Sequence, residues 1–540
     1  MNRTIPSLFL SAFAIFSAES QAGSIDPRLA ALYAQDKVIE VEIFSSEWDN
    51  LRSQDPKGGR CVFAFIGAEY DWFQFEEVRI NGIGFHDVGV KKRAWCGSES
   101  KTKPSLNIKF NKFNKRQGDV ARDAIGVDNL LLNNSAQDPA YVRQCLAYRL
   151  WAKAGVPSPL CNFAHVRVNN RDMGIYVNVQ HIGATFLQSQ YGEELGNLYE
   201  IAADDFNDSS RDHLKASLES MKKEEDRSLN DIDGIINALA DKNGSMEKIE
   251  RLVDLDEFFR HWAMEIIVSH FDGFTLSNNN AYLYFPAHGK MQILPWGADN
   301  VLTRTSDREA RQFYNFNLLG RKLSENTAMR QRLLNTIDEQ MRLLWKENDL
   351  RAEVDHTAFA IGRFIPSGEQ SDFFGEIEGL KKNIRLRREQ IASFIPVAFN
   401  EMLDARLQNA KGYRFCLNTQ GFDENRITNV WGCGDDPDQR WDVTYVTGDY
   451  VRLRNPGSNH CVNLEHEAAG APVDARTCNG LADQNWKAIV NSGAYLFESQ
   501  RAPGTCLSLG VEEDSSQTVI KNCDRNDPTQ NWRRFFSLDQ

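Results

Sequence analysis

The sequence predicts a multidomain chain in which an α+β domain is followed by an all-β domain. Three observations predict it. From residue 38 to 400, short runs of alternating polarity are interleaved with stretches of helical periodicity. From 411 to 540, one unit recurs three times. Within the first part, an apolar helical pattern runs into Ser269-His270-Phe271-Asp272-Gly273, followed by Asn278-Asn279-Asn280, two short strands and Asp299. Kinase-type phosphoryl-transfer sites present their parts in that order: a base, an amide metal ligand, a hairpin and a metal carboxylate. The spacing departs by one residue, since five residues separate Asp272 of the His270-x-Asp272 motif from Asn278 where the generic pattern has four.

The chain has 540 residues, long enough for two or three domains with large cores. A net charge of −13 argues against a nucleic-acid surface, which needs clustered Lys and Arg. Residues 1–22 read as a secretory signal: Arg3, an apolar run from Ile5 to Phe16, and small residues at Ser20-Gln21-Ala22. That run is too short to span a bilayer, and no later segment has membrane-span character, so an integral membrane protein is not expected. Ten cysteines in an exported chain favour disulfides, and none forms a Cys-x-x-Cys pair that would suggest zinc.

Val38 to Phe44 alternates apolar and acidic residues, as a half-buried strand does. Lys103-Pro-Ser-Leu-Asn-Ile-Lys-Phe110 also has period 2, with Leu106, Ile108 and Phe110 on one side. A kinase-like site needs a strand lysine here for nucleotide phosphates, and Lys103 and Lys109 are the candidates. A helix is expected from Asp138 as N-cap, through Pro139 at its first position, to Gly155. Ala164–Val168 and Met173–Ile182 read as strands joined by a turn at Asn169-Asn170-Arg171-Asp172. Cys61 with Cys96 and Cys145 with Cys161 are the expected pairs, one of three connectivities that four cysteines allow.

Residues 203–250 read as solvated helices and loops. Leu255, Phe258, Phe259, Trp262 and Ile266 then form one broad apolar face, so a buried helix should deliver His270 and Asp272 to the interior. His261 on it reads as a packing or surface residue. Further on, Arg385, Arg387 and Arg388 read as a solvated helix face.

In the last part, Cys416/Cys433, Cys461/Cys478 and Cys506/Cys523 recur with one spacing, each followed by Gln-x-Trp at Gln439, Gln484 and Gln530. One disulfide per repeat and an inward Trp fit a three-lobed barrel. Each short-loop disulfide would contribute about 3 kcal/mol.

Lys103-Pro-Ser-Leu-Asn-Ile-Lys-Phe, Gly155-Val-Pro, Gly174-Ile-Tyr-Val, Asn197-Leu-Tyr, His270-Phe-Asp-Gly-Phe, Asn278-Asn-Asn-Ala-Tyr-Leu-Tyr and Pro295-Trp-x-x-Asp together resemble the CotH kinase family over roughly residues 35–400. The resemblance implies an atypical protein-kinase-like α+β domain over residues 23–405. Such a domain is secreted and uses ATP with Mg²⁺ or Mn²⁺ to phosphorylate Ser or Thr of extracytoplasmic proteins. Carried over, it implies Asp272 as catalytic base or hydroxyl orienter and Lys103 as phosphate-binding lysine. Asn278 and Asp299 become metal ligands, with Asn279 and Asn280 as substitutes for Asn278. Two positions depart from the family: Gly297 stands where Pro-Trp-Asp-x-Asp has its first acid, and Gln180 where a Glu is usual. Loss of a metal carboxylate weakens the charge neutralisation on which phosphoryl transfer depends. The alternative reading is therefore an inactive pseudokinase serving as a glycan-binding, adhesion or structural protein.

Residues 411–540 resemble the ricin B-type β-trefoil lectins. The resemblance implies a carbohydrate-binding domain with a glycan or glycoprotein partner. The family's acidic sugar-binding position is occupied by Asn418, Asn463 and Ser508, of which Asn418 and Asn463 are the candidate sugar contacts, while the Gln-x-Trp residues read as structural.

Overall fold

The computed structural model describes residues 26–535 apart from 36, 58–68, 95–96, 193–195, 221–228, 242–244, 304–316, 393–401, 412–414, 421–425, 435, 448–449 and 492–493. The expected signal segment 1–22 and the Cys61–Cys96 pair lie outside the described residues.

Seven strands close into a barrel: β1 (Val38–Phe44), β2 (Phe73–Ile80), β3 (Ile83–Lys92), β4 (Leu106–Lys109), β5 (Asn129–Asn133), β6 (Cys161–Val168) and β7 (Arg171–Val179). The order is β1-β2-β3-β4-β5-β7-β6, and the parallel β1–β6 pairing closes it. Alternation builds its core: Ile39, Val41 and Ile43 of β1 and Leu106 and Ile108 of β4 are buried. The β2–β3 and β6–β7 hairpins turn at Asn81-Gly82 and Asn169-Asn170, all four in the left-handed region that two-residue turns require.

The helix before β6 is Arg143–Lys153 and does not begin at Asp138. Tyr141, with φ of 61°, breaks the helical path between them. Asp138 nonetheless serves the helix start, because its buried carboxylate accepts from the Arg143 N–H at 2.8 Å and from the Arg143 side chain. A disulfide joins Cys145 on this helix to Cys161 on β6.

A second sheet runs β11-β10-β8-β9, with β8 Gly196–Ala202, β9 Leu218–Ser220, β10 Asn279–Pro286 and β11 Gln292–Pro295. Its core is shared with the helix Leu255–Ile267 and with the helices Thr327–Leu344, Glu347–Gly362 and Gln370–Ala392. Here the expected solvated arginine face is overturned: Arg387 and Arg388 are buried, their guanidinium groups bonding the carbonyls of Ile267 and Trp345.

The C-terminal part is all β, with three repeats around one core. Cys416–Cys433, Cys461–Cys478 and Cys506–Cys523 are bonded. Trp441, Trp486 and Trp532 are fully buried, and their indole N–H groups donate to Leu417, Val462 and Leu507 carbonyls at 2.9, 3.0 and 2.9 Å. Each Gln side chain bridges two backbone groups beside the second cysteine, as Gln439 does with the Gly434 N–H and the Gly432 carbonyl. The sheet begins ahead of residue 411. Strand β12 (Met402–Asn409) pairs with both Trp441–Thr447 and Trp532–Phe535. Among the described residues, no helix is long and apolar enough to cross a membrane.

Candidate active site

A cleft of about 630 Å³ opens between the barrel wall and the second sheet, lined among others by Lys91, Arg93, Asn107, Asp272, Asn280 and Asp299. The helix Leu255–Ile267 leads into the turn that carries Asp272, and its start is capped by the Asp254 carboxylate, which accepts from the Glu257 N–H. At the other end, the buried Glu265 carboxylate accepts from the Phe274 and Thr275 N–H groups at 2.8 and 3.0 Å. His261, fully buried, meets it at 3.0 Å. Burial works against the Glu265 charge, yet His261, His270 and the Thr275 hydroxyl together outweigh it and leave the carboxyl below its ordinary range. The chain between must pass Glu265 closely: a Cβ on Gly273 would lie 2.3 Å from its Oε1. Only glycine fits there.

This turn presents Asp272. Asn280 Nδ2 donates to Asp272 Oδ2 at 2.8 Å and to the Asp272 carbonyl at 3.0 Å, while Asn279 Nδ2 donates to Oδ1 at 3.2 Å. With its amine occupied, Asn280 turns its Oδ1 toward Gly297. A Cβ on Gly297, whose φ is 52°, would lie 2.2 Å from that oxygen. Position 297 therefore has no room for a side chain while Asn280 stands as it does.

Asp299 faces the cleft from beyond Gly297, accepting from Asn133 Nδ2 at 3.1 Å. Asn133 also donates to Gln144 Oε1, which ties Asp299 to β5 and to the helix Arg143–Lys153. Burial, with the negative charges of Asp138 and Asp272 adding to it, pushes the Asp299 carboxyl up to about 6 against the Asn133 bond.

Opposite stands a cationic wall. The Arg93 guanidinium lies 4.5 Å above the Trp296 ring and 3.4 Å from Glu200. Burial, then the Arg93 charge, draws the Lys91 ammonium below the ordinary amine range. Burial and the cations Arg93, Lys109 and Lys91 push His181 down to about 3, so its ring is neutral.

Of the sequence candidates, Asp272 and Asp299 line the cleft and Asn278, Lys103 and Lys109 do not. Asn278 ends a short helix in the left-handed conformation; its amide donates to Asp205 at 3.4 Å and its Oδ1 accepts from Asn317 at 2.9 Å. The amides that reach Asp272 are those of Asn279 and Asn280, the substitutes for Asn278. Lys103 is turned from the cleft, its ammonium bonded to the Tyr141 hydroxyl at 2.9 Å and lying 5.0 Å from the Tyr176 ring. Lys109 lines a neighbouring smaller cavity with Gln180. Lys91 and Arg93 were missed by the sequence reading. Their signal is the run Val90-Lys91-Lys92-Arg93, where Val90 and Lys92 are buried and Lys91 and Arg93 alternate outward. In the trefoil, Asn418 and Asn463 are buried and bonded within their hairpins, to Asn429 at 2.8 Å and Asp474 at 2.6 Å.

The sequence matches the family described as CotH kinase protein over residues 84–395, more than half of the chain. The chain belongs to the CotH kinase family. A second match, to the ricin-type beta-trefoil lectin domain, covers residues 404–532. Two curated relatives from Bacillus subtilis (strain 168) are similar to the CotH part. Inner spore coat protein H is 24% identical over 235 residues, which is 41% of this chain and 64% of the relative. Inner spore coat protein H-like protein is 32% identical over 103 residues, 18% of this chain and 34% of the relative. Among solved structures, the designed three-fold symmetric protein ThreeFoil matches 25% of this chain and 98% of its own at 16% identity, with a TM-score of 0.23. The Rhizoctonia solani agglutinin matches 26% of this chain and 99% of its own at 14% identity, also with a TM-score of 0.23.

Proposed function

We propose that this CotH-family chain is an exported phosphotransferase that carries the γ-phosphoryl group of ATP to Ser or Thr hydroxyls of extracytoplasmic proteins, held near its substrates by a glycan-binding trefoil. In this reading residues 1–22 are a signal peptide, 23 to about 400 the kinase-like domain and the remainder the lectin domain. The observation that carries it is the Asp272 carboxylate, clasped by Asn279 and Asn280 and facing, across one cleft, the Lys91/Arg93 wall. A carboxylate so held is suited to accept the proton of an incoming hydroxyl, while Lys91 and Arg93 suit the phosphate oxygens. The residues present suit one Mg²⁺ or Mn²⁺: the Asp299 carboxylate and the Asn280 oxygen left free of the Asp272 clasp are hard ligands of the kind these ions take. Bound there, such an ion supplies neutralisation of charge on the transferring phosphoryl oxygens. In the trefoil, Trp431, 46% exposed, offers a flat apolar face of the kind sugar rings stack on, which supports a carbohydrate partner.

The test is phosphate incorporation from labelled ATP into a mixed extracytoplasmic protein fraction. Asp272→Ala should abolish it, and equal incorporation by the variant would sink the proposal. Gly297 favours a second reading, because no carboxylate can stand at that position beside Asn280. As a pseudokinase the chain would bind glycan through its trefoil and show no metal-dependent nucleotide affinity, and tight Mg·ATP binding would count against that reading.

A further inference from the structure

Beside the cleft lies a separate cavity of about 190 Å³, lined by Lys109, Asn129, Gln180, His181, Ala184 and Thr185 among others. Three features converge on it. The helix Ala184–Tyr191 starts there, and its N-cap, Gly183, has no side chain to cap the first N–H groups. Gln180 is 1% exposed, and its Oε1 accepts from the Leu160 N–H at 3.1 Å, which fixes the amide orientation. Its Nε2 is left as a buried donor with no protein partner. Lys109 brings a positive charge to the same space. Asp128 also lines this cavity, and its carboxylate is already engaged by Arg122 and by Asn111.

Donors from a helix start, a buried amide and an ammonium around one small polar space match the chemistry of an oxyanion. We propose that this cavity binds a tetrahedral oxyanion of the phosphate class, held by the start of helix Ala184–Tyr191, Lys109 and Gln180 Nε2. His181 lines both this cavity and the catalytic cleft, and so forms the partition between them. Its ring, held neutral by burial and by the neighbouring cations, adds no charge of its own to either space. The site does not depend on the kinase reading, since none of its anion-holding groups faces Asp272.

Calorimetric titration of the full chain with inorganic phosphate, without nucleotide or divalent metal, tests it. One phosphate per chain is expected. Lys109→Met should weaken binding about tenfold, the loss of one charge-assisted contact. Gln180→Glu keeps an acceptor for the Leu160 N–H while replacing the buried donor with a negative group, and should abolish binding. Arg93→Met, confined to the cleft wall, should leave phosphate affinity unchanged. Absence of phosphate binding in the native chain would overturn the proposal. So would binding that survives Lys109→Met but is lost in Arg93→Met, which would put the anion in the main cleft. If Gln180→Glu does not fold, Thr185→Val at the helix start takes its place, with weaker binding again the required result.

Discussion

Arg93 faces the cleft, and Lys103, the lysine that sequence pattern singles out, does not. A lysine on a strand ahead of the site is the expected phosphate ligand, yet Lys103 is spent on Tyr141 and Tyr176 while Arg93 faces the cleft. Arg93→Met should therefore weaken ATP binding at least about tenfold, the scale of one charge-assisted contact. Lys103→Met should leave it within about twofold. Fluorescent-nucleotide titration of both variants decides the matter, and a larger loss in Lys103→Met would reverse the assignment. Asp272 was legible because His-x-Asp at the end of an apolar helix fixes its place locally. The amide was not: whether Asn278, Asn279 or Asn280 reaches Asp272 depends on a short helix and a left-handed residue between them, which no spacing rule records. His181 gives a prediction in pH. Its folded value of about 3 lies below the ordinary 6.5 of the imidazole, so in that window the unfolded chain binds a proton that the folded chain refuses. Stability is then lost as pH falls below about 6.5, and His181→Gln removes that part of the loss. Thermal melts between pH 7 and 5 should show a smaller decline for the variant, and parallel curves would argue against a neutral buried ring.

At the scale of elements, the turn that carries Asp272 is held from behind by a helix more than 100 residues later in the chain. Arg387 on Gln370–Ala392 donates from Nε to the Ile267 carbonyl at 2.9 Å and from a second nitrogen to Ile266, both at the open C-terminal end of the helix that launches Asp272. A buried guanidinium satisfying these carbonyls also complements the negative end of the helix dipole. Arg387→Met keeps the side-chain bulk but takes this donor from the Ile267 carbonyl, at about 1–3 kcal/mol, while the Ile266 carbonyl keeps the Ser269 N–H. A fall in the urea midpoint with the slope unchanged is expected, and an unaltered midpoint would mean that the cap carries no weight. The apolar face of Leu255–Ile267 could be read from periodicity. The burial of Arg387 could not, because a charged residue at a helical position reads as solvated until the carbonyls it serves are known, and those come from tertiary packing.

At the scale of the whole molecule, the three-fold repeat sets the trefoil and one strand outside it closes the structure. Cysteine and Gln-x-Trp spacing locate the repeats, but β12 precedes the first cysteine and shows only a few apolar residues in a polar run. Its register is nonetheless extensive: Arg406 opposite Phe535, Asn409 opposite Trp532, and Ala405 opposite Trp441 on the other edge. Met402, Ala405 and Leu407 are buried in the trefoil core. Burying the Met and Leu side chains contributes about 1.5–3 kcal/mol each, a large share of the roughly 5–15 kcal/mol that holds a domain together. Removing β12 would also leave two strand edges unpaired, which invites association with other chains. A fragment spanning 402–540 should therefore fold as a monomer, whereas one spanning 411–540 should be unfolded or aggregated despite keeping all three disulfides. Urea denaturation with sizing chromatography compares them directly. Equal midpoints and equal monomer content would show that the three repeats suffice without the strand that closes them.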